Sequence, residues 1–220
     1  MKFVANEKHG EVSALFERPD DAVVLYVLAH GAGAGMRHRF MDAIAAALHQ
    51  RAVATFRFNF PFTEAGAGRP DHKQWLLATI RSAVDAAASA APDLPLVAGG
   101  KSMGGRMTST AQAQAPLPGV RGLVFLGFPL HPPKRESVER ADHLANVRVP
   151  MLFLQGTRDD LAQLDLIEQV CGSLGDRATL HIVDTADHGF HVLKRSGRTD
   201  EEALTEIADA TAAFAIGLAT

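Results

Sequence analysis

Apolar positions along this chain fall into two alternating kinds of run. Short, nearly unbroken hydrophobic stretches at residues 22–29, 52–58, 94–99, 122–128, 150–155 and 178–183 read as strands, most of them interior parallel strands covered on both faces. Between them, apolar residues return at three- and four-residue spacing, as in Phe40, Ile44, Ala47 and Leu48, or Trp75, Leu76, Ile80, Val84 and Ala87. Further helices are predicted at 103–114, near 136–145 as a short amphipathic piece, near 161–172 and near 200–217. The first eighteen residues differ: Val12, Ala14 and Phe16 alternate at period two beyond His9-Gly10, a hairpin-like start. Strands alternating with helices specify right-handed crossovers and an α/β architecture, a mostly parallel sheet with helices on both faces. No repeat, low-complexity tract or linker divides the sequence, so residues 1–220 are expected to form a single domain. Only about twenty residues separate the stretches ending at Phe128 and starting at Pro150, too few for a lid domain. An open site is expected.

Composition narrows the function classes. The chain has 220 residues, 47% hydrophobic and 21% charged, with a net charge of −3. Acidic and basic residues are intermingled, so neither nucleic acid nor an anionic membrane surface is an expected partner. Cys171 is the only cysteine, which excludes an intrachain disulfide and fits a reducing compartment. The N-terminus turns polar at once, and no apolar stretch approaches the length of a bilayer span. A cytoplasmic location is the expectation. The histidines are scattered without metal-ligand spacing, so no metal is expected. Gly31, Gly33 and Gly35 lack the dinucleotide spacing, and Gly100-Lys101-Ser102 lacks the upstream glycine of a phosphate loop. No cofactor is expected.

The chemistry lies in Gly100-Lys101-Ser102-Met103-Gly104, placed between a predicted strand and a predicted helix. A strand entering G-x-S-x-G and leaving as a helix is a nucleophile elbow, with the serine hydroxyl lifted clear of the sheet edge. Gly100 and Gly104 let neighbouring backbone pass close by. A serine hydroxyl needs a base and a group to orient that base. In an open α/β sheet both must come from loops at the carboxyl ends of strands. The loop after 150–155 supplies Asp159, with Asp160 as its nearest competitor; the loop after 178–183 supplies His188. Asp187 adjoins the histidine too closely to fold back onto its ring, and His191 lies one turn further on. Ser102 would attack, His188 would carry the proton, and Asp159 would hold the imidazole. The oxyanion would be met by the amides of Met103 and, most directly, Ala32 in the glycine-rich loop after residue 29. Phe58, Phe60, Phe62, Phe128 and Phe190 all fall at or beyond strand ends, which suggests an apolar pocket. Arg57 and Arg106 are candidates for holding a substrate carboxylate.

Four segments together, His30-Gly31-Ala32-Gly33-Ala34, Arg57-Phe58-Asn59-Phe60-Pro61, Gly100 through Arg106 and Gln155-Gly156-Thr157-Arg158-Asp159, resemble the α/β-hydrolase superfamily. More narrowly, they resemble a small lidless subgroup related to dienelactone-hydrolase-like proteins. The resemblance implies a sheet of about eight strands with the second antiparallel, and a triad of Ser102, Asp159 and His188. Dienelactone hydrolases use a cysteine nucleophile where this chain has Ser102, so their lactone substrate does not carry over. The expected activity is hydrolysis of a small-molecule carboxylic ester or thioester through an acyl-enzyme. The alternatives are a peptidase or amidase, and a non-catalytic interaction protein on a hydrolase scaffold. Nothing in the sequence indicates the oligomeric state.

Overall fold

The computed structural model describes residues 1–219. Among them, eight strands form one sheet: β1 (Lys2–Asn6), β2 (Gly10–Glu17), β3 (Val24–Ala29), β4 (Val53–Phe58), β5 (Leu96–Lys101), β6 (Val120–Leu126), β7 (Met151–Gly156) and β8 (Ala178–Val183). Their order is β1-β2-β4-β3-β5-β6-β7-β8. From β4 to β8 every neighbouring pair is parallel, whereas β2 runs against both β1 and β4. The second strand is therefore the antiparallel one, as expected. The α-helices are α1 (Arg39–His49), α2 (Pro61–Glu64), α3 (Lys73–Ala90), α4 (Met103–Gln114), α5 (Leu164–Leu174) and α6 (Asp200–Gly217). No lid is inserted.

The period-two geometry of a strand explains why the central runs are apolar throughout. In β3, Leu25, Val27 and Ala29 face a core shared with α3, α4 and α5. Val24, Tyr26 and Leu28 face the opposite core, shared with α1 and α6. The polar side-chain atom that β3 itself buries is satisfied: the Tyr26 hydroxyl donates to the Val124 carbonyl at 2.9 Å. Cys171 packs into the first of these cores.

Two elements depart from the sequence pattern. The segment predicted as a helix near 136–145 is a 3₁₀ run over Glu139–Asn146. Its buried residues, Ala141 and Leu144, are three apart, and Val147 continues the spacing, so the period is that of the tighter helix. Strand β5 also extends through Gly99 and Gly100 to Lys101, where glycine weakens the strand signal. There the missing side chains are required. A Cβ on Gly100 would lie 2.1 Å from the Ala29 carbonyl oxygen, and one on Gly104 would lie 2.5 Å from it. The start of α4 thus rests directly on the end of β3.

The loops that follow β3 and β4 are joined by His30, which is fully buried. Its Nδ1 donates to the Gly31 carbonyl at 2.7 Å, and its Nε2 accepts from the Phe60 amide at 3.1 Å. Burial pushes its pKa down to about 4, against a smaller upward pull from the Gly31 hydrogen bond. Below pH 6.5 the unfolded chain binds a proton that the folded protein refuses until about pH 4. This stabilisation is complete above the unfolded value and is lost as pH falls through that window, roughly 3 kcal/mol in all. His30→Gln is expected to be less stable at pH 7 and to lose stability less steeply on acidification, by up to about 1.4 kcal/mol per pH unit. Urea unfolding at several pH values tests this, and parallel slopes for the two proteins would count against it. The glycine packing gives an opposed pair. Gly104→Ala should lower the melting temperature sharply, whereas Gly172→Ala, with open space around its Cβ within α5, should raise stability by about 0.5–1 kcal/mol.

Candidate active site

Ser102 links β5 to α4 with φ 50° and ψ −115°, a left-handed value that non-glycine residues rarely adopt. Holding it costs on the order of 1–3 kcal/mol, which the packing of β5 and α4 against β3 must offset. The turn aims Oγ at the loop after β8, where His188 Nε2 lies 2.9 Å away. His188 Nδ1 in turn lies 2.7 Å from Asp159 Oδ2. The carboxylate is buried at 4% exposure in the loop after β7. Its Oδ1 accepts from the Leu161 amide at 2.8 Å, and its Oδ2 also accepts from Gln155 Nε2. The structure therefore brings together Ser102, His188 and Asp159 from three strand ends.

The competing residues are elsewhere. Asp160 is exposed. Asp187 Oδ1 accepts from the amides of Gly189 and His191, at 2.8 and 3.0 Å, and so shapes the histidine loop without touching the ring. His191 pairs with Asp200 at 2.7 Å on the rim of the cleft. The amides of Met103 and Ala32 have no acceptor among the described residues, and both residues line the space beside Ser102.

Several residues that hold this arrangement carried weak sequence signals. Gln155, fully buried at the end of β7, spans the gap between Asp159 and the Phe128 amide, which donates to its Oε1 at 3.0 Å. A lone amide closing an apolar strand was the available clue. Lys101 precedes the serine and reaches across to donate to the His188 carbonyl. Its ammonium lies 5.2 Å from the Phe190 ring centroid and 5.9 Å from that of Phe40. Burial pushes it down to about 8, although Asp159 and Asp187 pull the other way. The two rings stack at 5.7 Å. With Met41 and Leu204 they line a cavity of about 630 Å³ that opens onto Ser102 and His188.

The aromatic and arginine expectations are corrected in part. Phe58, Phe60, Phe62 and Phe128 belong to the core, and of the five named rings only Phe190 lines this cavity. Phe58, Phe60 and Phe62 enter the same core and pack on one another, as Phe58–Phe60 and Phe60–Phe62 pairs at 5.3 and 6.0 Å. Arg57 is buried in ion pairs with Glu17 and Asp42 and donates to the Met36 carbonyl at 3.0 Å, so it is unavailable to a substrate. Arg106 lines a second cleft on the other side of Ser102.

Solved structures share this fold over nearly their whole length. A dienelactone hydrolase from Anabaena variabilis superposes with a TM-score of 0.73 at 21% identity, covering 97% of this chain and 95% of that one. The esterase domain of a Rhodothermus marinus protein gives 0.74 at 17%, covering 99% and 97%. An α/β serine hydrolase without a lid from Xanthomonas campestris gives 0.71 at 20%, covering 96% and 93%. At these identities the likeness is one of fold. Residues 21–216 also match the sequence model of the alpha/beta hydrolase domain, and the chain belongs to that family.

Proposed function

We propose that the protein is a serine hydrolase that cleaves a carboxylic ester or thioester through an acyl-enzyme, acting as one domain in the cytoplasm. The observation that carries this reading is the unbroken hydrogen-bonded line from Ser102 Oγ through His188 to a buried carboxylate. Asp159 accepts a hydrogen bond from Nδ1–H, which keeps the proton on that nitrogen and leaves Nε2 free to take the serine proton as Oγ attacks the carbonyl carbon. The amides of Met103 and Ala32 then meet the oxygen as it gains charge, each worth roughly 3–4 kcal/mol in the transition state. His188 returns the proton to the departing alcohol or thiol. A water molecule, activated by the same imidazole, releases the acid. The esterase and dienelactone hydrolase of similar fold act on bonds of this class, and the apolar cavity beside His188 suits an apolar group on one side of the bond.

A fluorophosphonate probe should label the wild type and leave Ser102→Ala unlabelled; folded wild type that resists the probe would refute the assignment. Asp159→Asn should keep the fold and lose about 10³–10⁴ in kcat, since the amide imposes the wrong tautomer on His188. Among p-nitrophenyl esters, the matching thioester and the matching anilide, short esters should turn over fastest. Faster anilide cleavage would make the protein an amidase.

A further inference from the structure

The second cleft, about 450 Å³, meets the first at Ala32, Ser102 and Leu161 but is lined differently. Lys73 from the start of α3, Arg106 from α4 and Arg140 from the 3₁₀ run all contribute to its wall. None of the three side chains has a hydrogen-bond or ion-pair partner among the described residues, and the Nε of Arg106 is buried without an acceptor. Arg57, the other inward-facing arginine, shares the buried Nε without an acceptor, but its terminal nitrogens are taken by Glu17, Asp42 and the Met36 carbonyl, whereas those of Arg106 have no partner among the described residues. The one acid on the wall, Asp71, is already engaged by the Phe62 amide at 2.9 Å and lies 3.5 Å from His9 Nε2. The positive field is felt nearby. His143, beside Ser109, is pushed down to about 4 by burial first and then by Lys73 and Arg106.

The two clefts also differ in which part of the reacting centre they touch. His188 lines only the first, and Met103 only the second. The leaving group must accept its proton from His188, so it occupies the apolar cleft, and the acyl group extends into the cationic one. We infer that this cleft is a subsite for a carboxylate at the far end of the acyl group, so that the substrate is the half-ester or half-thioester of a dicarboxylic acid with an apolar alcohol or thiol. The assignment of groups to clefts rests on the acyl-enzyme reading above. Arg106 is one helical turn along α4 from Ser102, a backbone rise of about 6 Å, so a short dicarboxylic acyl chain such as a six-carbon diacid is a suitable probe. The guanidinium fork suits a carboxylate, and Asp71 on the same wall disfavours the second charge of a phosphate dianion. The reaction is balanced as hydrolysis. The acyl C–O or C–S bond breaks as the Ser102 ester forms, the alcohol or thiol leaves with the imidazolium proton, and water frees the dicarboxylate.

The test is binding, read by calorimetry on Ser102→Ala so that turnover plays no part. Monobenzyl adipate should bind at least about tenfold tighter than benzyl methyl adipate, and the advantage should shrink with added salt. Adding Arg106→Gln or, separately, Lys73→Gln should reduce that preference several-fold. Arg148→Gln, a charge change just before β7 at the far end of the sheet, should leave it intact. Equal affinities, including no binding of either compound, or a preference that survives both cleft substitutions, would overturn the inference. A terminal phosphonate bound more tightly than the carboxylate would overturn the choice of anion. In turnover by the wild type, moving the carboxylate to the alcohol side should lower kcat/KM at least about tenfold, and equal values would overturn the orientation. Fluorophosphonate labelling reports on the nucleophile independently, so a failed subsite and a failed hydrolase assignment remain distinguishable.

Discussion

The candidate site depends on how closely the beginning of α4 lies against the end of β3. Three backbone segments, the Ala29–His30 carbonyls, Gly100 and Gly104, occupy a volume with no room for side chains. Because the backbone is packed this tightly, Ser102 has little freedom to relax from its left-handed conformation. The same contact fixes the free amide of Met103 relative to the loop that carries Ala32. Hydroxyl and amides are thus set by one packing event.

The histidine is held from two directions. From one side, Gln155 and the Leu161 amide orient Asp159, which orients the ring. From the other, Lys101 grips the backbone carbonyl of His188 itself. The neighbour of Ser102 in sequence therefore anchors His188, and the distance between the serine and the histidine is governed by strand β5 as much as by the loop after β8. Asp187 completes this support by knotting the loop through its own amides.

How much of this was legible beforehand follows from what each feature depends on. Strand and helix periodicities are local, so the mostly parallel sheet and the absence of a lid could be anticipated from them, while the antiparallel second strand was implied by the resemblance to the α/β-hydrolase superfamily. Ser102, Asp159 and His188 were readable because the fold restricts them to loops at particular strand ends, and the structure places them within hydrogen-bond reach. The partnerships of long polar side chains were not readable. Arg57 and Arg106 look alike in sequence, and only the positions of Glu17 and Asp42, distant in the chain, separate a structural arginine from an unpaired one. Four phenylalanines at strand ends misled for a related reason: lying at a strand end does not tell whether a ring turns into the core or out to the cleft. The 3₁₀ run was hidden because three- and four-residue spacings are hard to separate over eight residues.

On the acyl-enzyme reading proposed above, the absence of a lid leaves nothing to shut over the intermediate. Water then has access to that intermediate without any movement of the protein. Departure of products, likewise, waits on no hinged cover. Discrimination among substrates must then come from walls that are already in place before anything binds.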